Sequence, residues 1–183
     1  LKKLEREGYR VSIHERAKVP DLIPDLRRIS ENWLATKRSR EKGFSLGFFD
    51  ERYLGHCDLA MVEREGEYVG FANLWTLENK RELSVDLMRH VPDAPPGLMD
   101  LLFVRLMQWG KAEGYRSFNL GMAPMAGLAG HRLAPLWHRA GSYVFSRWGA
   151  LYNFQGLRAY KQKFQPRWEP RYLVSPGGAP LAR

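Results

Sequence analysis

Between residues 82 and 126 the alternation of apolar and polar positions gives way to a continuous apolar stretch and then resumes. Residues 83–88 alternate with the two-residue period of a strand, and residues 98–109 are apolar almost all round, which predicts a largely buried helix. Gly114 ends this helix, and residues 117–122 form a short apolar run of strand length. A strand, a crossover helix and a strand imply parallel pairing through a right-handed connection.

The remaining segments are shorter and are placed around this unit. In the first half of the chain, apolar spacing and turn residues predict a helix end at 1–8, a strand at 9–14, an amphipathic helix from Pro20 to Arg38 and a loop with a helical turn at 43–56. Strands follow at 58–64 and 68–76, joined by Glu65-Gly66-Glu67. After Met122 the same signals predict a loop and helix over 123–145, a helix at 152–164 and a last strand at 171–174. No internal repeat or domain linker interrupts this order.

The order of these elements indicates an α/β fold. Antiparallel strands lead into one that pairs in parallel across a helix, as in a GNAT-like acyltransferase core with a mostly antiparallel central sheet, one parallel crossover and helices on both faces. We expect a single domain of this type over 1–183, with a helical connecting segment at 1–42, the core at 43–174 and a tail at 175–183. Because the sequence starts directly in charged helical residues, we expect the chain to be a piece of a longer protein.

Composition narrows the class of protein. The chain has 183 residues, 44% of them hydrophobic, which is enough for one ordinary core. No apolar run approaches the length that spans a bilayer. Cys57 is the only cysteine, so a disulfide framework is excluded, and the thiol is either a small core residue or a nucleophile beside His56. The five histidines show no spacing typical of zinc ligands, so we expect no metal site.

The net charge of +9 is concentrated in the last third of the chain. Residues 123–183 carry nine Lys or Arg side chains against a single acid, Glu169, and ten of the 23 aromatic residues. Cations attract phosphate oxygens, and flat rings stack on bases or settle among lipid headgroups, so this composition favours a polyanionic partner. The alternative is an aromatic core whose arginines only solvate its rim.

Candidate chemistry lies at the turn between the central strand and the crossover helix. Asp86, Arg89 and His90 are placed there, where open α/β sheets bind their ligands. Ordinary GNAT enzymes hold the coenzyme A pyrophosphate on backbone N–H groups at the start of this helix. The corresponding turn here, HVPDAPPGL, contains three prolines, which have no N–H to donate, so a coenzyme A donor is disfavoured.

The run LSVDLMRHVPDAPPGLMDLLFVRLMQWGKAEGYRSFNLGMAPMAGL, with YKQKFQPRWEPRYLV downstream, resembles the cytosolic C-terminal domain of the bacterial aminoacyl-phosphatidylglycerol synthases, the multiple peptide resistance factor family. The likeness covers about residues 43–174, and the pairing of D-L-M-R-H with N-L-G-M-A-P is its most distinctive part. Members resemble a tandem of two GNAT folds after a multi-span membrane region, so this chain would be the second fold of the tandem, at the cytosolic face of the bacterial inner membrane.

The resemblance implies a tRNA-dependent aminoacyltransferase. It would move Lys or Ala from the acceptor end of aminoacyl-tRNA to a phosphatidylglycerol hydroxyl at an anionic membrane surface, a lipid change that confers resistance to cationic antimicrobial peptides. One ester is exchanged for another, so no ATP, metal or other cofactor is required. The resemblance marks Asp86, Arg89, Tyr53 and Lys161 as functional positions. We expect the first three to be catalytic, and we expect substrate to be bound by Lys161, His90, Arg158, Asn119 and Gly121.

Each of these residues also has a structural interpretation. Arg89 could clamp a phosphate or form an ion pair with Asp86, and such a pair would make Asp86 an orienting group rather than a base. Tyr53 could donate a phenolic proton or pack an edge of the core, and Lys161 could contact phosphate or only solvate a helix surface. Gly121 would allow close approach of a ligand or form a strand bulge.

Two other functions fit the same residues. One is a Fem-like transferase that delivers the amino acid to a peptidoglycan-precursor amine. The other is a non-catalytic module that docks RNA or an anionic membrane, in which Lys161 and Arg158 would matter and Asp86 would not. The sequence alone leaves these alternatives open, as it does the identity of the amino acid.

Overall fold

The computed structural model describes residues 1–37, 48–123 and 154–171. These residues belong to two compact units, Leu1–Gly121 and Met122–Arg183. The helices are α1 (Lys2–Arg6), α2 (Val19–Lys37), α3 (Glu51–Leu54), α4 (Leu98–Ala112) and α5 (Phe154–Gln162), and the strands are β1 (Arg10–His14), β2 (Asp58–Arg64), β3 (Glu67–Thr76), β4 (Glu82–His90) and β5 (Ser117–Asn119). A short 3₁₀ turn, Arg16–Lys18, precedes α2.

The first unit is built on a five-stranded sheet in the order β1-β2-β3-β4-β5. The pairs β1–β2, β2–β3 and β3–β4 are antiparallel, whereas β4 and β5 are parallel. Between β2 and β3, Glu65 and Gly66 both have positive φ, 54° and 85°, which is the backbone of a two-residue hairpin turn that matches the twist of the strands. The predicted meander, hairpin and parallel crossover are thus confirmed.

Helices cover both faces of this sheet. On one face, Phe71 joins Leu26 and Ile29 of α2 in a fully buried apolar cluster. A Cβ atom added at the neighbouring residue, Gly70, would lie 3.4 Å from Leu98 of α4. Since successive strand residues face opposite sides, α2 and α4 pack on opposite faces, as predicted.

Helix α4 lies very close to the central strand. A Cβ atom at Gly110 would come within 2.8 Å of Leu83 Cδ2, so only glycine fits this contact without a shift. The helix ends at Gly114, whose φ of 87° allows the amide of Tyr115 to donate to the Gly110 carbonyl over 2.8 Å. We expect Gly110→Ala to separate helix and strand slightly. The close packing fixes the parallel crossover against the strand that carries the candidate site.

Several predicted elements differ from the structure or lie outside the described residues. Strand β5 ends at Asn119 rather than at Met122. Strand β4 continues to His90 rather than ending at Met88, so Asp86 lies within the strand and not at its exit. The extension occurs because Phe71 and Gly70 of the long strand β3 pair with Arg89 and His90. The expected loop and helix after Met122 and the strand at 171–174 lie largely outside the described residues.

Candidate active site

Asp86 lies at an irregularity of the β3–β4 ladder. Ala72 pairs with Met88 and Leu74 with Val85, so β4 takes three steps where β3 takes two. Asp86 and Leu87 therefore both face the position of Asn73. Such bulges re-aim a side chain and are frequent beside active sites.

Tyr53 reaches this bulge from the short helix α3. Asp50 caps that helix by accepting a hydrogen bond from the Tyr53 backbone N–H at 2.8 Å, which fixes where the helix begins. The phenolic O–H of Tyr53 then donates to Asp86 Oδ2 at 2.7 Å. The structure thus brings together two of the three predicted catalytic residues, which are 33 positions apart in the sequence.

Two further side chains meet the same phenol. The amide Nδ2 of Asn73 donates to the Tyr53 oxygen at 2.9 Å, and the indole Nε1 of Trp75 donates at 2.6 Å. Asn73 is fully buried, whereas Trp75 is 41% exposed. Sequence reasoning missed both residues, although a buried amide inside the apolar run FANLW was a usable signal because interior polar groups need partners.

The electrostatics of the site keep Tyr53 neutral. Burial is the largest cause that raises the pKa of the Tyr53 phenol, and the hydrogen bond to the Asp86 carboxylate raises it further. The donations from Asn73 and Trp75 lower this pKa, but the net shift is upward. The phenol therefore remains a proton donor toward Asp86. The second carboxylate oxygen, Oδ1, accepts no hydrogen bond from the described residues, yet it is not a fully buried atom.

Arg89 lies deeper than the other candidates. It is 3% exposed, its Nη1 donates to Ser30 Oγ of α2, and its guanidinium lies 5.0 Å from the centre of the Trp33 ring. No ion pair joins Arg89 to Asp86, both of which are in the described part of the chain. These contacts connect β4 to α2, and they make a polar residue compatible with a buried strand position.

The other candidates around the sheet make local contacts. His90 Nδ1 lies 2.7 Å from the carbonyl oxygen of Val91. Asn119 donates to Glu82 Oε1 at 3.0 Å and accepts the N–H of Gly121 at 2.7 Å. Gly121 lies beyond β5 and has a φ of 74°. The left-handed backbone explains why a glycine occupies this position, and a bulge within the strand does not.

Lys161 and Arg158 belong to the second compact unit, on α5. Lys161 is only 7% exposed, so its interpretation as a solvated surface lysine is wrong. Its ammonium donates to the Met122 carbonyl at 2.7 Å, and burial lowers its pKa. The Arg158 guanidinium lies 5.3 Å from the centre of the Trp168 ring.

Two observations limit the chemistry of the described residues. No group of three or more His, Cys, Asp or Glu side chains in residues 1–37, 48–123 and 154–171 is placed to hold a metal ion. A cavity of about 300 Å³, lined in part by Tyr9, Arg64 and Asp93, contains none of the predicted site residues. Of the three predicted catalytic residues, Tyr53 and Asp86 are the pair that a hydrogen bond joins in the described part of the chain.

The raised pKa of Tyr53 predicts an effect on stability at alkaline pH. Above the ordinary tyrosine pKa of about 10, the unfolded chain loses a proton that the folded chain retains, so the free energy of unfolding falls as pH rises. We expect Tyr53→Phe to make this fall shallower. Urea denaturation of both proteins between about pH 8 and pH 11 measures the two slopes. Equal slopes would show that Tyr53 titrates like an unfolded tyrosine.

Comparison with known proteins places these features in a family. Residues 1–175 match the model of the family described as phosphatidylglycerol lysyltransferase, C-terminal. The chain is 43% identical over 174 residues to a phosphatidylglycerol lysyltransferase of Bacillus subtilis (strain 168), covering 94% of this chain and 20% of that protein. It is 37% identical over 175 residues to the Staphylococcus xylosus enzyme of the same name, covering 95% and 21%.

Solved structures agree in fold. The C-terminal domain of an Agrobacterium fabrum protein named as a lysylphosphatidylglycerol synthetase aligns with a TM-score of 0.79 at 44% identity, over 94% of this chain and 51% of that one. The structure of L-PGS from Bacillus licheniformis aligns with a TM-score of 0.71 at 40% identity, over 91% and 49%. An aminoglycoside acetyltransferase from a soil metagenome, 11% identical with a TM-score of 0.53, shares the fold alone. The predicted GNAT-like fold is confirmed.

The chain is shorter than all of these family members. It spans about a fifth of the length of the two curated relatives and about half of the two solved chains. None of the helices in the described ranges combines the length and the apolar character that crossing a membrane requires.

Proposed function

The chain belongs to the family of phosphatidylglycerol lysyltransferase C-terminal domains, and from this premise we propose that it transfers a lysyl group from lysyl-tRNA to phosphatidylglycerol. The names of its relatives support the lipid acceptor and the lysyl group. The tRNA donor is supported by chemistry, because an activated lysyl ester supplies the energy for a second ester without ATP. Lysine is favoured over alanine because the curated relatives are lysyltransferases.

The reaction exchanges one ester for another. The glycerol hydroxyl oxygen attacks the carbonyl carbon of the lysyl ester, and a tetrahedral oxyanion forms. As the bond to the ribose oxygen breaks, the proton lost by the glycerol hydroxyl ends on that ribose oxygen. The protein must align the hydroxyl, carry this proton and stabilise the oxyanion.

The hydrogen bond from Tyr53 to Asp86 is the observation that carries this proposal. It stabilises the ionised carboxylate and holds one of its oxygens, which leaves Oδ1 to accept a hydrogen bond from the attacking hydroxyl. Asp86 thus orients the hydroxyl and relays its proton, while Tyr53 keeps Asp86 in place. Arg89 then has a structural role: it holds β4 against α2 and does not clamp a phosphate.

The remaining candidates serve the substrates. The Lys161 ammonium has three N–H donors, and its contact with the Met122 carbonyl uses one, so the others can bind an anionic oxygen of the tRNA end or the lipid. Arg158 contributes positive charge on the same helix. His90, Asn119 and Gly121, at the ends of the parallel pair of strands, remain proposed substrate contacts.

The chain would act as one of two GNAT-like folds in a longer protein at the cytosolic face of the membrane. Its coverage of about half of each solved family chain supports this tandem arrangement. The surplus of cations in residues 123–183 favours an anionic membrane surface as a partner.

A labelled-transfer experiment tests the proposed function. The full-length protein would be mixed with phosphatidylglycerol vesicles and tRNA charged with labelled lysine or alanine, and the lipids then extracted. We expect lysine label in the lipid phase, abolished by ribonuclease and by omission of phosphatidylglycerol. Label on a peptidoglycan precursor instead would indicate a Fem-like transferase, and vesicle binding without transfer would indicate a docking module. Either result would overturn the proposal.

The effect of Lys161 on substrate binding can be distinguished from that of the nearby Lys163. We expect Lys161→Ala to raise the KM for charged tRNA or lipid about tenfold, which corresponds to about 1.4 kcal/mol of lost binding, because it removes a buried cation. Lys163→Ala, which removes an exposed cation lying 4.9 Å from the Tyr160 ring, is the matched control and should change KM much less. Equal effects in steady-state assays would assign both lysines to general electrostatics.

A further inference from the structure

A closed ring of hydrogen bonds surrounds the bulge that carries Asp86. The backbone N–H of Leu87 donates to Asn73 Oδ1 at 2.7 Å, and Asn73 Nδ2 donates to the Tyr53 oxygen at 2.9 Å. The Tyr53 O–H donates to Asp86 Oδ2 at 2.7 Å, and Asp86 is bonded through the chain to Leu87. Asn73 is therefore the link between the bulge and the helix that presents Tyr53.

The orientation of the Asn73 amide is fixed by this ring. An amide can often be turned over without visible change, because its oxygen and nitrogen look alike. Here the Leu87 N–H can only donate, so the side-chain atom facing it must be the oxygen. The NH₂ group consequently points at Tyr53, with the Cys57 sulfur 3.5 Å from the same nitrogen.

The direction of the Tyr53 proton follows from its partners. A phenolic oxygen accepts at most two hydrogen bonds and donates one. Asn73 and the indole of Trp75, which is also a pure donor, occupy the two acceptor positions. The single phenolic hydrogen is left for Asp86, so Tyr53 cannot turn its proton elsewhere while this ring is intact.

We propose that Asn73 is a positioning residue of the transfer site: it directs the Tyr53 proton to Asp86 and holds the bulge that aims the carboxylate. The inference rests on the proposed function for its kinetic consequence only. The ring itself is built from three hydrogen bonds among Asn73, Tyr53, Asp86 and the Leu87 amide, and Trp75 donates a fourth to the Tyr53 oxygen from outside it.

Asn73→Asp tests the polarity of the ring with almost no change in shape. The new carboxylate still accepts from Leu87, but it cannot donate to Tyr53 and instead competes with Asp86 for the phenolic proton. The titratable groups that contact this position are Tyr53 and Cys57, with Asp86 next in the ring. Because the two carboxylates repel one another, protonation of the pair is favoured, and the acidic limb of the activity profile should move to higher pH.

In the full-length protein we expect Asn73→Asp to lower kcat about 10- to 100-fold, with KM changed less than about threefold, since the loss falls on alignment rather than binding. Asn79→Asp, an exposed amide that accepts the Arg81 N–H in the loop before β4, is the matched control and should keep the wild-type profile. In a Tyr53→Phe background, Asn73→Asp should add little further loss, because the two residues act through one contact.

A spectroscopic measurement keeps the inference testable without activity. In the 183-residue chain labelled with [¹³Cζ]tyrosine, Asn73→Ala should shift the Tyr53 resonance and the Leu87 amide resonance together. If the buried carboxylate of Asn73→Asp prevents folding, the Asn73→Ala variant still tests the inference. An unmoved Tyr53 resonance, or wild-type kcat and pH profile in folded Asn73→Asp, would overturn the inference. Failure of labelled transfer in the wild-type protein would instead overturn the proposed function and leave this result standing.

Discussion

Replacing Asp86 by Asn is expected to lower the rate of lysyl transfer by about 10²- to 10⁴-fold, the range typical for loss of a positioned acid or base. The amide keeps the size of the carboxylate, and its oxygen can still accept the hydrogen bond from the Tyr53 O–H. It cannot take a proton from the glycerol hydroxyl, and it carries no charge to hold that hydroxyl in line. Single-turnover transfer from labelled lysyl-tRNA measures the change without interference from product release.

A second carboxylate offers a control for this substitution. Asp93 is exposed and lies away from the Tyr53 contact, against a different cavity. Asp93→Asn should therefore transfer lysine at nearly the wild-type rate. Asp86→Asn at wild-type rate, in a protein with unchanged melting temperature, would show that Asp86 takes no part in the chemistry and would contradict its proposed role.

Replacing Arg89 by Ala is expected to destabilise the fold by about 3 kcal/mol, an effect of the size seen when a buried polar network is broken. The substitution removes a side chain that is 3% exposed and opens a cavity between β4 and α2. It also deprives Ser30 Oγ of its donor and Trp33 of its cation. Urea denaturation measures the loss directly.

The control for Arg89 is an exposed arginine on α2, the helix that Arg89 contacts. Arg27 donates to Glu51 at the protein surface, and Arg27→Ala should change stability far less. Transfer activity should fall in Arg89→Ala in proportion to the unfolded fraction and recover on cooling. Lost transfer at full stability would instead show that the guanidinium works on the substrate.

The fold was largely predictable because its elements follow local rules. The alternation in residues 83–88, the apolar helix at 98–109 and the hairpin punctuation at Glu65-Gly66 each depend on neighbouring residues only. The prediction ended strand β4 too early because Arg89 is polar, and local pattern does not indicate that a polar residue is buried. The compensation for burying Arg89 comes from Ser30 and Trp33, which lie more than fifty residues earlier in the chain.

The candidate site was predictable only in part. The resemblance selected Asp86 and Tyr53, and the structure joins them. The bulge was not visible, because residues 83–88 continue a regular alternation and the extra residue is held by Asn73 from another strand. The Asp86–Arg89 ion pair was considered because the two are three positions apart, but burial of Arg89 against α2 directs its guanidinium to Ser30 instead.

A mimic of the lysylated tRNA end can show whether the Tyr53-anchored carboxylate of Asp86 receives the reacting groups. The probe is 3′-lysylamino-adenosine, a stable mimic of the lysylated tRNA terminus, added with short-chain phosphatidylglycerol to the full-length protein labelled with [¹³Cζ]tyrosine. We predict that the Tyr53 resonance moves on addition of both ligands and that the movement is lost in Asp86→Asn. A Tyr53 resonance that stays in place while both ligands bind would contradict the account.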